Sequence, residues 1–514
     1  MKTFFPLISF VPLVFITITG CAVGPDFRLP DLAPPGSYTA TPLPSKLAKT
    51  PSESADAHHF VFAEDLPARW WMVFHSPELD RIIKQGLADS PSLAAAQAAL
   101  IKAEEDLRAV RGSILFPAVN AGIQATRQRT SGNVNTGDSS MFNLYNTSVN
   151  VSYTLDIFGG GRRQMEAYQA EVDYQYYIYE GTYLTLTANI VTSAIQEASL
   201  REQIKAIREI IAAEQKQLDV IRKQFELGAV SKAVVLSQET QLAMTKAGLP
   251  PIEKQLDLTR HAQMVLTGQF PASGQAPEFK LEMLRLPESL PVTLTSLLAR
   301  QRPDIRASEA LLHKACAAVG VATANLYPQI TLSAGYGFQA IGDAILFGGQ
   351  SIAWNLGASL LQPVFRGGEL SAKRRSAVAA YDQATAQYRH TVLKAFQDVA
   401  DVLRALESDA QTLRAQAEAE AAAKAALKLS ETQYQLGAVS YPLLLTAQRD
   451  YQKTRISLIN AQAQQYADTA ALFQALGGGW WNRESMSEDA DLKEKGKSSG
   501  LHQHQNFDEV TKND

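Results

Sequence analysis

Cys21 is the residue with the clearest chemistry in the chain. It follows Ile18-Thr19-Gly20 and closes an uncharged, mostly apolar run that starts at Thr3, just behind the positive charge of Lys2. A basic start and an apolar run too short and too badly flanked for a stable membrane span describe a secretory signal. Small residues before a cysteine match the bacterial lipobox, in which the thiol is acylated, palmitate being a typical chain, and the cysteine becomes the new N-terminus. The bland alternative is an ordinary signal with an incidental cysteine. Residue 22 is Ala, not the Asp of an inner-membrane retention signal, so sorting to the outer membrane is expected. One acyl chain anchors marginally, whereas several anchor firmly. Loss of residues 1–20 takes the formal net charge from −4 to −5. Cys316 is then the remaining free thiol, and its place in an expected helix makes it a buried small hydrophobe.

Other reactive side chains are not arranged for catalysis. His58-His59 and His502 with His504 fall in an expected linker and tail, and no His/Cys cluster has metal-ligand spacing. Gly159-Gly160-Gly161 lacks the Lys-Ser/Thr of a phosphate loop and the spaced third glycine of a dinucleotide site. No enzyme activity, metal or cofactor is therefore expected. A net charge of −4 gives no basic surplus for phosphates, so no nucleic-acid partner is expected either. With 46% hydrophobic and 19% charged residues the chain has ample surface to bury, and two cysteines cannot build a disulfide scaffold. After residue 21 no apolar run is long enough for a helical membrane span.

The elements that position the remaining landmarks are written twice. Ser90-Pro91 corresponds to Arg302-Pro303, Phe116-Pro117 to Tyr327-Pro328, and Phe158-Gly159-Gly160 to Phe365-Arg366-Gly367-Gly368. Leu227-Gly228-Ala229-Val230-Ser231 recurs letter for letter as Leu436-Gly437-Ala438-Val439-Ser440, and Leu266-Thr267-Gly268 as Leu476-Gly477-Gly478. Five landmarks in one order, offset by 207 to 212 residues, establish an internal repeat.

Each copy opens with a helix that has Pro91 or Pro303 in its first turn, where a missing N–H costs nothing. Two period-two segments follow. In the first copy Val119, Ala121, Ile123 and Ala125 alternate with polar or small residues, then Val149, Val151, Tyr153, Leu155 and Ile157 do so. In the second copy Ile330, Leu332, Ala334, Tyr336 and Phe338 alternate, then Ile352, Trp354, Leu356, Ala358 and Leu360. One apolar and one small, polar face over about ten residues is the pattern of a tilted membrane strand, or of a soluble sandwich with one wet face. The lipid anchor favours the membrane. Asp156 is the charged residue expected on the polar face. Glycine clusters then lead into very long helices, over Arg162–Leu227 and Glu369–Leu436. The second is free of Gly and Pro and carries a 3.5-residue seam through Val378, Tyr381, Thr385, Tyr388, Val392, Ala395, Val399, Val402 and Leu406. The first shows it at Ile204, Ile207, Ile211, Leu218, Ile221 and Phe225, with Glu214 as a polar break. The chain turns at Gly228 and Gly437, and Ser231 or Ser440 is placed to cap the returning helix.

Four strands with a lipid-facing side cannot close. Each open edge would leave on the order of five backbone groups unpaired in hydrocarbon at several kcal/mol each, so other protomers must seal it. Eight strands from two protomers largely fill their own interior, whereas twelve from three leave a polar lumen. Three is preferred to two, and more are not excluded.

At this point the residues resemble a known family. Cys21-Ala22-Val23-Gly24-Pro25-Asp26-Phe27, Trp70-Trp71 with Phe74 and Pro77-Glu78-Leu79-Asp80, Arg302-Pro303-Asp304-Ile305-Arg306 and Ala475-Leu476-Gly477-Gly478-Gly479-Trp480 are similar to the TolC-like outer-membrane efflux factors, in their lipoprotein (NodT) branch. The likeness covers about residues 15–482. It implies an α+β membrane protein: a homotrimer with a twelve-strand outer-membrane β-barrel and a long α-helical periplasmic tunnel. It implies a passive exit duct for small molecules such as drugs, serving multidrug-type pumps through a periplasmic adaptor and an inner-membrane transporter. The expected layout is signal 1–20, lipidated Pro-rich linker 21–51, equatorial segment 52–90, first repeat 91–268, equatorial linker 269–302, second repeat 303–482 and disordered tail 483–514. By the resemblance the docking tips are Gly228, Ala229, Val230 and Ser231 with Gly437, Ala438, Val439 and Ser440. Relatives often carry acidic rings six and nine positions after the second tip glycine; here Leu443 and Thr446 stand there. Leu443, Leu444 and Thr446 are thus expected to form an apolar constriction that gates by dewetting, or to be plain helix packing. Heavy-metal export, type I peptide or protein export, and a structural coiled-coil lipoprotein without a channel remain alternatives.

Overall fold

A computed structural model describes residues 22–31, 36–42, 44, 59–129, 131, 141–272, 277–287 and 289–483. The signal, Cys21, much of the Pro-rich linker and the tail beyond residue 483 lie outside the described residues. In chain order the elements are β1 (His59–Phe62), α1 (Pro77–Asp89), α2 (Pro91–Leu115), β2 (Ala118–Arg129), β3 (Met141–Leu155), α3 (Gly160–Glu226), α4 (Lys232–Leu266), β4 (Ser289–Val292), α5 (Thr295–Gln301), α6 (Pro303–Ala324), β5 (Gln329–Ala340), β6 (Ile352–Leu361), α7 (Glu369–Gln435) and α8 (Tyr441–Ala475). Helix–strand–strand–long hairpin is thus built twice. Pro91 and Pro303 open α2 and α6 as expected. Each long helix has 67 residues, about 100 Å at 1.5 Å per residue. No helix of the described residues is long and apolar enough to cross a membrane.

The chain divides into two compact units that cut across the repeats. The first comprises the chain up to Ala33, Ala95–Tyr179 and Asp304–Leu393. Its four-stranded antiparallel sheet has the order β2-β3-β5-β6. All four expected strands form, but β3 starts at Met141, eight residues before the expected alternation at Val149. Phe142 and Leu144 lie on the polar side of the register, which hides the period-two signal there. Asp156 is not a wall charge: its carboxylate accepts the N–H groups of Gly161 and Arg162, both at 2.9 Å, at the positive end of α3.

The second unit comprises Pro34–Ala94, Glu180–Pro303 and Lys394–Asp514. Here β1 pairs in parallel with β4, a two-stranded sheet too short for the sequence pattern to reveal. Trp70, Trp71, Phe74 and Phe473 are buried, with the Trp70 and Phe473 rings stacked 5.5 Å apart. Trp71 donates its indole N–H to Asp80 and Trp480 donates to the Gln301 carbonyl, at 3.1 and 2.7 Å. Arg302 donates to Asp398 at 3.1 Å and to the Ala475 carbonyl at 3.0 Å. Motifs distant in sequence therefore meet in one cluster. Of the seam residues in this unit Ile204, Ile207, Leu218, Ile221, Ala395, Val399 and Leu406 are buried and Phe225 is exposed; of those in the first unit Tyr388 and Val392 are buried and Val378 is exposed. Cys316, in the first unit, is buried as expected.

Candidate functional site: membrane face, helical tips and constriction

The register of the first unit sorts every side chain of its sheet onto one of two faces. Val119, Val151, Ala334 and Leu356 form one cross-strand row, and Ala121, Val149, Tyr336 and Trp354 the next. Between them lie Asn120, Asn150, Gly335 and Asn355 on the opposite face, with Thr154, Thr331 and Ser359 in another polar row. Among the described residues nothing covers the apolar rows: Ile123, Trp354 and Leu356 are 84%, 74% and 79% exposed. An apolar surface this continuous is a contact surface for protein or lipid. An aromatic residue marks the helix-bearing end of every strand: Phe116 before β2, Phe158 after β3, Tyr327 before β5 and Phe365 after β6. Phe158 and Tyr327 stack at 4.8 Å. Aromatic girdles flank the apolar band of outer-membrane barrels, and this row of three Phe and one Tyr stands where such a girdle would be, at the strand–helix junctions.

The chain just after Cys21 is docked at that girdle. Val23 donates its N–H to the Phe158 carbonyl at 3.1 Å. The left-handed Gly24 (φ +99°) lies against Gly320, and a Cβ there would come within 2.5 Å of the Gly320 Cα, so no larger residue fits without movement. Arg163, buried, donates to Asp26 at 2.7 Å and to Glu166 at 2.8 Å, while Phe27 stacks on His313 at 4.3 Å. Ala22 lies against the left-handed Gly159, where an added Cβ would come within 2.6 Å of the Ala22 Cα.

The second unit holds both helical turns, and they are built alike. Gly228 and Gly437 adopt φ +76° and +73°. The Gly228 N–H bonds the Phe225 carbonyl and that of Ala229 the Gln224 carbonyl, at 2.9 and 2.8 Å. Gly437 to Tyr434 and Ala438 to Gln433 repeat this at 3.0 and 2.8 Å, the double bond of a Schellman motif. Ser231 and Ser440 stand at the N-cap positions with extended backbone, but neither side chain makes the capping hydrogen bond expected of it. At both turns Leu, Gly, Ala and Ser are exposed, while Val230 and Val439 are half-buried. Val230 packs on a core of Leu218, Ile221, Val235, Leu242, Tyr441 and Leu444.

That core corrects one expected residue of the constriction. Leu444 is buried at 1% exposure and is a packing residue. Leu443 is half exposed, and Thr446 is exposed with its hydroxyl bonded to the Pro442 carbonyl at 3.0 Å. A polar network that the spacing of residues did not announce lies close by. The Tyr441 hydroxyl donates to Gln238, Gln238 donates to the Glu214 carbonyl at 3.1 Å, and Gln241 donates to the Glu214 carboxylate at 3.1 Å. Arg449 donates to Gln241 at 2.7 Å. Burial pushes the Glu214 carboxyl above the usual range. The polar break at Glu214 was the one visible sign of this network.

An acidic pair joins α7 and α8. Burial and the facing carboxyl of Asp468 push Asp409 up to about 7. The folded state thus binds a proton that the unfolded chain releases near 3.8, and stability falls as pH rises from that value through about 7. In a chain of 514 residues, Asp409→Asn should raise the thermal midpoint at pH 8 by roughly 1 °C per kcal/mol regained and leave it nearly unchanged at pH 4. Melts at the two pH values check this, and an equal shift at both would refute it. Among the described residues no group of three or more His, Cys, Asp or Glu is placed to hold a metal ion.

Comparison with known proteins accords with this geometry. The family model described as Outer membrane efflux protein matches residues 82–269 and 294–478. The chain is 30% identical over 448 residues to the Pyoverdine export outer membrane protein OpmQ of Pseudomonas aeruginosa, covering 86% of this chain and 94% of that one. It is 29% identical over 474 residues to Nodulation protein T of Rhizobium leguminosarum bv. viciae, covering 90% and 92%. The solved outer-membrane channel OprN superposes with a TM-score of 0.81 at 26% identity, over 90% of this chain and 100% of that one. The family and the α+β fold class implied by the sequence motifs both hold. With both repeats matched and the fold shared, the chain belongs to the outer membrane efflux protein family.

Proposed function

We propose that this protein is the outer-membrane exit duct of a tripartite efflux pump, passively conducting small molecules such as drugs. Three protomers close a twelve-strand barrel, the helical tips dock on a periplasmic adaptor, and the adaptor connects to an inner-membrane transporter. The observation that carries the reading is the sheet: an uncovered apolar face, a small polar face, and β2 and β6 as open edges. Open edges cannot stay unpaired in lipid, and closure around a polar face leaves an aqueous lumen. Acylation of Cys21 belongs to this reading, supported by the docking of Ala22 and Val23 at the aromatic girdle, where acyl chains would enter the periplasmic leaflet. The collar suggested by the family likeness draws support from the Trp70, Phe473 and Trp480 cluster.

Purified protein in planar bilayers tests the duct directly. Long-lived conductance steps from a trimer are expected; an intact, folded trimer that passes no current would leave a structural lipoprotein. The constriction is proposed at Leu443, with Thr446 on the same helix. Leu443→Ser should raise leak of large antibiotics with little change in melting temperature. Leu444→Ser should instead lower the melting temperature, by the several degrees that about 2–4 kcal/mol of lost core burial implies. Susceptibility tests and melts separate the two, and unchanged susceptibility of the Leu443 variant would remove it from the gate.

A further inference from the structure

We propose that Glu226 and Lys232 make the first helical turn the one that selects the adaptor, by matching a cation and a carboxylate on the docked partner, while the second turn docks without charge. The inference rests on the docking role proposed above and deepens it by dividing the work between the two turns. Both turns carry the same Leu-Gly-Ala-Val-Ser and the same pair of backbone bonds, so any difference between them lies in what flanks them. Residues 432–448, around the second turn, include no Asp, Glu, Lys or Arg. The equivalent stretch of the first copy, residues 223–239, carries Lys223, Glu226, Lys232 and Glu239.

The fold itself accounts for two of the four. Glu239 pairs with Arg222 at 2.8 Å, and Lys223 stands in the last turn of α3, where the helix dipole favours a positive charge. Glu226 and Lys232 have the opposite fit. Glu226 is the last residue of α3, a carboxylate at the negative end of that dipole, and Lys232 is the first residue of α4, an ammonium at the positive end. Each sign therefore weakens its own helix end. Both side chains are exposed, every residue of 223–239 and 432–448 is described, and neither charge makes an ion pair or a hydrogen bond among the described residues. The Lys232 ammonium lies 5.5 Å from the centre of the Phe225 ring, which holds it beside the turn. At the equivalent places in the second copy stand Gln435, which is neutral, and Tyr441, which is buried and donates to Gln238. Charges that weaken the free protein and find no partner within it are those that a docked partner would satisfy.

The test titrates the full-length protein in detergent with the adaptor captured by crosslinking at Ala229 or Ala438, at about 50 and about 500 mM salt. Wild type should bind at least about threefold more weakly at the higher salt. E226Q/K232Q should bind about tenfold more weakly than wild type at the lower salt and lose most of the salt dependence. Its melting temperature should equal or exceed that of wild type, because two charges that oppose the helix dipoles are gone. E226K/K232E, which sets like charges against the partner, should bind more weakly still. Equal binding by wild type and the Gln variant at both salts would overturn the proposal. So would a lowered melting temperature of the Gln variant, which would make the pair a structural one. A229R/A438R keeps the two readings apart. If it abolishes binding while E226Q/K232Q is unaffected, this inference fails and the duct stands; if wild type captures and binds no adaptor, the docking reading fails and this inference with it.

Discussion

Leu356→Arg is expected to remove the protein from the outer membrane, while Asn355→Arg, one residue away, leaves assembly intact. Leu356 is the fifth of ten residues in β6, on the apolar row with Val119, Val151 and Ala334. An arginine at mid-membrane on the lipid side destabilises by about 2–4 kcal/mol per copy, and three copies in a closed barrel would multiply it. Asn355 lies in the polar row beside Gly335, where a longer charged side chain meets water. Trimer bands from membrane fractions read the result. Equal loss, or equal tolerance, at the two positions would mean that the sheet has no lipid-facing side.

Arginine at both Ala229 and Ala438 should reduce efflux to nearly the level of a strain lacking the protein, without harming the purified channel. Both residues are exposed at turns whose backbone is already satisfied by Schellman bonds, so folding does not depend on their side chains. A bulky charge at the centre of a docking surface typically removes 2 kcal/mol or more, about thirtyfold in affinity. The serines sharpen the argument. Ordinary N-cap Ser→Ala changes lose about 0.5–2 kcal/mol. Ser231 and Ser440 make no cap bond, so Ser231→Ala with Ser440→Ala should leave the melting temperature almost unchanged yet weaken efflux. A lowered melting temperature with normal efflux would return both serines to a capping role.

Strands, long helices and repeat were legible because each is a periodic signal sustained over many residues. What the sequence concealed has local physical causes. The parallel β1–β4 pair has four residues per strand, below the length at which alternation can be recognised. Helix α4 runs unbroken through Pro250 and Pro251, which composition alone would read as a break. Both prolines are exposed, as are Lys246 and Ala247 four residues before them, so the turn that loses its hydrogen bonds lies on the solvent-exposed side of the helix. Of the site residues, the tips were legible as a repeated motif. Leu444 was misplaced because three consecutive leucines do not reveal which one faces inward; only the packing against Tyr441 and Val235 does. Gln238, Gln241 and Arg449 could not be linked to Glu214 from spacing, since the bonds run between separate helices.

Photocrosslinking in intact cells, from probes at Ala229 and Ala438, tests the central claim most directly. The account predicts capture of a periplasmic adaptor from both turns, with a control probe at the mid-helix Lys246 capturing none. Capture of only the protein itself, or of nothing, by efficiently reacting probes at both turns would contradict it.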